Sequence, residues 1–430
     1  MRVCIALFFW LFFYYSTTAQ VNEPYEPLHG GNYSGLPVRG SPDPLICYQW
    51  KNPKADDSLL LYTLRPKKIS ATPVKSFRQD KNSITVKGKG DLLFDFGIEN
   101  AGWIEFDSPD LADSVEMSIS EYDQPPDYPS IYPAKKAAPK KYGNTYRLEL
   151  NTELYEGVRY AWIHVRTFSK AWHITGLRLV CQTRPTNYNG SFSCSDTMLT
   201  RIWYTGAYTV RLNLLKDYLG AILMNRGDRF SWTGDAYPAQ AASMVAFGNY
   251  DFVRKNIDFT ANQSNGIRSY ALYWVLSLID YFKYTADTAT LGKYILNACA
   301  KLDDAYTVYG TNPNLEYYGW DERLGAGFEH PNIPEPQNAY KMLSIRAWKE
   351  FSEAAGMYGR TDLRDKYDNY AREKIDALKK NAAWYLDFGL HAGADAVTTR
   401  LLSSDEIKEI YEKSFADRGV TRTKNERQVL

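Results

Sequence analysis

Ser195-Asp196-Thr197-Met198-Leu199-Thr200-Arg201-Ile202-Trp203-Tyr204-Thr205-Gly206-Ala207-Tyr208-Thr209-Val210-Arg211-Leu212-Asn213-Leu214 is where the pattern of this chain changes. Ser195 or Asp196 is a good helix N-cap, because a short side-chain oxygen can accept from the first free backbone N–H groups. Leu199, Trp203, Ala207, Val210 and Leu214 then recur at helical spacing. Before this point the apolar residues alternate; after it they keep a period near 3.6.

Upstream, from about residue 46 to 184, the reading is β. Asp91 to Gly97 reads as a strand ending in a turn, and Ala101 to Phe106 as the next strand. Val115–Ser120, Thr145–Leu150 and Tyr160–Val165 also alternate. Many short strands between Pro, Gly and Asp turns imply an antiparallel β-sandwich. The Lys-rich Pro133 to Lys141 reads as a solvated excursion. Downstream, helices are expected near 197–218, 236–247, 249–262, 269–285, 288–306, 335–357, 361–380 and 404–415. The expected organisation is a sandwich over 46–186 and a helical domain over 187–430, after an extended lead-in over 20–45.

The N-terminus reads as a processing signal. Arg2 precedes the apolar run Val3 to Tyr15, and Ser16-Thr17-Thr18-Ala19 supplies small residues before Gln20. The run is too short for a membrane span and suits a secretory signal cut after Ala19. No later run is long enough to span, so an exported, periplasmic chain is expected.

The 430 residues carry a net charge of +1, with the signs mixed, which gives no sign of nucleic-acid or anionic-membrane binding. Aromatics are abundant, with 34 Tyr, 19 Phe and 11 Trp. They suit either ordinary core packing or stacking on sugar rings. Cys47, Cys181, Cys194 and Cys299 form no C-x-x-C pair, and the five His show no metal spacing. Cys181 with Cys194 is the nearest candidate for a disulfide, against the simpler reading of small buried residues. His164, in a strand-like run, reads as structural. There is no phosphate loop and no G-x-S-x-G, so no cofactor or metal is expected.

The densest polar cluster is Arg226-Gly227-Asp228-Arg229-Phe230-Ser231-Trp232-Thr233-Gly234-Asp235. Gly227 and Gly234 interrupt the helical pattern and place the cluster on a connection. Two neighbouring acids suit glycoside hydrolysis; a surface loop with two Arg–Asp ion pairs is the plainer alternative. The irregular stretch Thr307 to Pro334 holds Tyr317-Tyr318-Gly319-Trp320-Asp321-Glu322-Arg323. A connection of that length is functional or disordered, and its aromatics argue for the first.

Arg226 to Asp235 resembles the signature loop of glycoside hydrolase family 78, the bacterial α-L-rhamnosidases. Four further stretches agree in order. Phe94 to Trp103 is similar to the family's DFGQNxAGW strand pair, and Tyr155 to Tyr160 to the approach to its last sandwich strand. Gly190 to Asp196, with Trp203, resembles the start of its catalytic barrel, and Tyr317 to Glu329 its Trp/acid loop. The resemblance implies a β-sandwich followed by an (α/α)6 barrel. It also implies inverting removal of terminal α-L-rhamnose by two carboxyl groups about 6.5–9.5 Å apart.

Carried over residue by residue, Asp228 stands where the family has its Glu general acid, one methylene shorter. Asp235 matches a second acid that binds sugar hydroxyls or tunes the first. Arg226 and Arg229 match flanking guanidiniums, and Trp232 an aromatic wall. Tyr270, Trp274 and Trp320 are further candidate walls, with core packing the alternative for Trp274; Asp321 and Glu322 follow the loop Trp. Departures are Ile222 and Gly319, each where the family often has an acid. A closed barrel takes twelve helices and about eight are expected before Leu430, so the resemblance implies an incomplete barrel whose general base lies beyond Leu430. The alternatives kept open are a carbohydrate-binding relative or remnant without catalysis, and a hydrolase of a different sugar.

Overall fold

The computed structural model describes residues 33–34, 49–50, 60–72, 76–80, 83–121, 123, 136–150, 156–184, 186–214, 219–220, 231–264, 267–309, 334–386 and 388–416. Strands occupy the chain to Thr183 and helices follow from Thr197. The strands are β1 Tyr33–Ser34, β2 Gln49–Trp50, β3 Leu60–Leu64, β4 Lys68–Thr72, β5 Ser76–Gln79, β6 Ile84–Lys87 and β7 Gly90–Asp107. They continue with β8 Val115–Ser120, β9 Lys136–Ala137, β10 Lys140–Tyr142, β11 Thr145–Arg147, β12 Glu156–Val165, β13 Trp172–Ile174 and β14 Gly176–Thr183.

An 11-stranded sheet runs β1-β2-β3-β14-β7-β12-β8-β9, with β4 and β11 also on β7 and β10 on β11; a 3-stranded sheet runs β13-β6-β5. The pairings are antiparallel, as the alternation implied. The largest correction concerns β7. The expected pair of strands from Asp91 to Phe106 is one 18-residue strand. The residues that read as a turn form a bulge, where the register with β12 shifts between Val158 and Tyr160. Gly97 takes φ +84° there, and its N–H donates to Asp95 Oδ1 at 2.7 Å. β7 thereby changes partners along its length, from β4 to β11 and β14. Part of the supposed Lys-rich excursion forms β9 and β10.

The sheets close on Phe94, Phe96, Ile104, Phe106, Met117, Ile163 and Trp172, each at most 1 % exposed. His164 is structural, as its strand position implied: it is buried, 2.7 Å from Ser118 Oγ and 2.6 Å from Asp91 Oδ1, and burial pushes its pKa down. Cys181, Cys194 and Cys299 are free thiols, so the candidate disulfide does not form. Cys181 is buried, but Cys194 is exposed.

The helices are α1 Thr197–Leu212, α2 Thr233–Ala246, α3 Tyr250–Thr260, α4 Arg268–Thr285, α5 Thr288–Val308, α6 Pro334–Met357, α7 Thr361–Leu378, α8 Leu390–Thr398 and α9 Ser404–Ile410, the last running into a π turn, Tyr411–Phe415. Asp196 is the N-cap of α1, accepting from Met198 N and Leu199 N. α8 is absent from the sequence reading. Its buried face is the small pair Ala392 and Ala396, an i, i+4 spacing without large apolar residues to mark it.

Even-numbered helices pack in series, α2 on α4, α4 on α6 and α6 on α8, while α3 and α5 each lie against the even helices on either side. α4 is buried on most of its circumference, including Leu272, Val275, Leu276, Leu278 and Ile279. That suits a helix enclosed on both sides. Trp348 of α6 is fully buried among Tyr306, Tyr309 and Tyr370, and its indole N–H donates to Leu302 O at 3.1 Å. With Trp103, Trp172 and Trp274 also buried, much of the aromatic excess packs the cores. Tyr208 of α1 ties the helices to the sheet by donating to Glu99 O at 2.7 Å. No helix among the described residues is long and apolar enough to cross a membrane.

Candidate active site

The polar cluster begins outside the described residues: Arg226, Asp228 and Arg229 lie there, as do Trp320, Asp321 and Glu322. Trp232 and Asp235 are described. α2 starts at Thr233, three residues before the sequence reading put it, so Gly234 and Asp235 belong to a helix and not to a connection. Asp235 in the first turn suits the macrodipole, because the free N–H groups there carry partial positive charge. Trp232, the N-cap residue of α2, is half-buried.

Asp235 Oδ2 accepts from the Tyr270 hydroxyl at 3.2 Å. Tyr270 is in the first turn of α4, and its ring is buried. Two helix N-termini therefore meet through one carboxylate–phenol pair. Gly234 explains the close approach: a Cβ there would stand 2.1 Å from Tyr270 Cε1. The glycine that reads as a helix breaker is required by the neighbouring ring. Asp235 itself is exposed.

Trp274, one turn further along α4, is 1 % exposed, and its indole N–H donates to Ile257 O at 3.2 Å. The Tyr294 ring packs edge-on against it and Lys301 Nζ lies 5.1 Å from its centroid. It is core, the alternative named for it, and offers no face to a ligand.

The same helices carry a network that sequence reasoning missed. Tyr237 of α2 stacks on Tyr273 of α4, with centroids 5.2 Å apart. The Tyr237 hydroxyl accepts from Arg346 Nη2 at 2.6 Å. Arg346 also reaches Glu350 Oε1 at 2.8 Å and Asp395 Oδ1 at 3.1 Å. Lys283 Nζ stands 3.3 Å from Glu350 Oε2. Four helices, α2, α4, α6 and α8, are joined by these groups. Burial, reinforced by the Glu350 charge, pushes the Asp280 carboxyl up to about 6. Burial also raises Asp395, against the pull of Arg346. Burial raises Tyr237, and takes Tyr273, which faces Asp395, up to about 12. Only the i, i+4 spacing of Arg346 and Glu350 hinted at this network. Its other members are far apart in sequence and meet only in the fold.

Among the described residues no group of His, Cys, Asp and Glu has a metal-binding arrangement. The candidate site thus has an acid and a phenol meeting at two helix N-termini, on helices that also share a charged network.

No protein-family model and no curated protein matches the sequence. Solved structures do match. A rhamnosidase from Klebsiella oxytoca with rhamnose bound superposes with a TM-score of 0.65 at 15% identity, over 83% of this chain and 79% of that one. The fold is that of the α-L-rhamnosidases. The α-L-rhamnosidase from Dictyoglumus thermophilum gives a TM-score of 0.60 at 14% identity, over 84% of this chain. The GH78 family rhamnosidase of Bacillus sp. GL1 gives 0.58 at 16% identity, over 80%. The chain spans 42% and 38% of the length of these last two.

Proposed function

We propose that the protein is an exported glycoside hydrolase that removes terminal α-L-rhamnose from glycans or glycosides by an inverting acid/base mechanism. The observation that carries this reading is the likeness of fold to rhamnosidases over 80% or more of the chain. The Asp235–Tyr270 pair at the N-termini of two packed helices agrees with it.

In this reading Asp228 is the general acid that protonates the leaving oxygen. Asp235, held by Tyr270, accepts hydroxyls of the sugar. Arg226 and Arg229 bind by forked hydrogen bonds, and Trp232, Trp320, Asp321 and Glu322 complete the subsite. The serial packing of α2, α4, α6 and α8 supports an (α/α)6 arrangement in which these are inner helices. The change from strand to helix between Thr183 and Thr197 supports a boundary near residue 186. The signal reading, cut after Ala19, supports export to the periplasm.

Following an aryl α-L-rhamnoside by NMR tests the mechanism. Inversion requires β-L-rhamnose as the first-formed anomer. First appearance of the α-anomer, or faster release from another aryl glycoside, overturns the reading.

A further inference from the structure

The first turn of α2 carries Asp235 and is weakly held by its own backbone. Its N-cap residue, Trp232, makes no side-chain cap hydrogen bond. Pro238, inside the same helix, has no N–H, so Gly234 O receives no bond from the residue four ahead, and the proline ring crowds that carbonyl. The Ala236 N–H, on Trp232 O at 2.8 Å, lies on the N-terminal side of this break. Side-chain contacts therefore orient the turn.

α2 meets α4 in three rungs. Asp235 accepts from the Tyr270 hydroxyl at 3.2 Å, Tyr237 stacks on Tyr273 with centroids 5.2 Å apart, and Gln240 Nε2 donates to Ser277 Oγ at 3.1 Å. The third lies beyond Pro238 and the first two before it. The Tyr237 rung is tied to further helices. Its hydroxyl accepts from Arg346 Nη2 at 2.6 Å. Arg346 is itself fixed through Nε to Glu350 Oε1 at 2.8 Å and through Nη1 to Asp395 Oδ1 at 3.1 Å. All three guanidinium nitrogens are thus engaged, on α2, α6 and α8. A planar fork pinned at two nitrogens presents the third in one direction.

We propose that Tyr237 is a positioning residue for Asp235. With its hydroxyl on Arg346 and its ring on Tyr273, it fixes the first turn of α2 against α4, α6 and α8, and so places the Asp235 carboxylate for the sugar. The task given to Asp235 rests on the rhamnoside reading above; the restraint on the turn does not. Misplacing a working group by about 1 Å can cost up to about a hundredfold in rate, so a contact two residues away matters.

The test is Tyr237→Phe in the full chain, with and without Asp235→Asn. The change keeps the ring and its stack and deletes only the hydroxyl. Hydrogen exchange at the Ala236 amide is expected to quicken about tenfold. Exchange at the Phe247 amide, bonded to Ser243 O at the far end of α2, stays as it was. Arg346→Lys, which keeps the charge and loses the fork, quickens Ala236 in the same way. On an aryl α-L-rhamnoside, Tyr237→Phe is expected to lower kcat/KM about tenfold alone and less than about twofold on top of Asp235→Asn, because both changes act on one placed carboxylate. A merely structural role gives the same factor in both backgrounds. Unchanged exchange at Ala236, or equal factors in the two backgrounds, overturns the inference. Quickened exchange in a chain that hydrolyses no rhamnoside removes the proposed function and leaves the restraint on the turn.

Discussion

Two charge networks, one in the sheets and one among the helices, use the same residue types in opposite ways. In the sheets, Glu105 and Asp107 lie two apart on β7, and Arg147 and Arg178 stand opposite Glu105 on the two flanking strands. Glu105 accepts from Arg147 Nε at 2.7 Å, Arg178 Nη2 at 2.7 Å and Trp103 Nε1 at 2.9 Å. Asp107 takes Arg178 Nη1 at 2.7 Å, and Glu149 takes Lys140 at 2.5 Å. These three acids are matched by three cations. Among the described residues of the helices, Asp280, Glu350, Glu353 and Asp395 face Lys283 and Arg346, with His391 near Asp395. A balanced network fixes strand register. Among the helices, burial, reinforced by the excess of negative charge, keeps a carboxyl near its protonation point and makes the fold sensitive to pH.

Breaking the balanced network has the largest expected effect. Glu105→Gln leaves two guanidiniums buried with less counter-charge, and a loss of about 3–5 kcal/mol is expected from denaturant unfolding. A loss under about 1 kcal/mol means that the network is decorative. Arg346→Met ranks next, at about 2–3 kcal/mol near pH 7, because its partners are less deeply buried. Its cost shrinks on acidification, as Asp280 and Asp395 take up protons; a pH-independent cost contradicts the excess of negative charge.

Asp280→Asn sharpens the contrast. The folded carboxyl titrates near 6, above its ordinary 3.8, so the folded state holds the proton more tightly. That contribution is complete below about pH 3.8 and is lost as pH rises through about 6. The wild type therefore loses about 3 kcal/mol over this window, and the Asn variant does not, making it the more stable protein near neutrality. Parallel stability–pH curves remove the claim. Tyr270→Phe is the smallest change. It deletes a 3.2 Å hydrogen bond, and is expected to lower kcat/KM about three- to tenfold and stability by about 0.5–1.5 kcal/mol.

How far the sequence revealed these regions follows from how local their causes are. The Asp196 cap and most of the helices were legible, because a cap and a 3.6-residue period are local patterns. Burial was less so: Met198, Leu199 and Ile202 of α1 are more than half exposed despite their apolar spacing. The bulge in β7 was hidden, since Gly97 signals a turn and a bulge alike. In the site, Asp235 and Tyr270 were named separately, but their contact depends on Gly234, whose role only the facing ring reveals. The Arg346 network joins residues from 237 to 395, a separation no motif spans.

The central claim is that Asp228 supplies the proton for cleavage of a rhamnoside. Its most direct test is the rate of release from an aryl α-L-rhamnoside by the wild type and by Asp228→Asn, on an aglycone whose departure needs protonation. A drop of roughly a hundred- to ten-thousand-fold with unfolding unchanged is the predicted result. A variant that turns over at the wild-type rate contradicts the account.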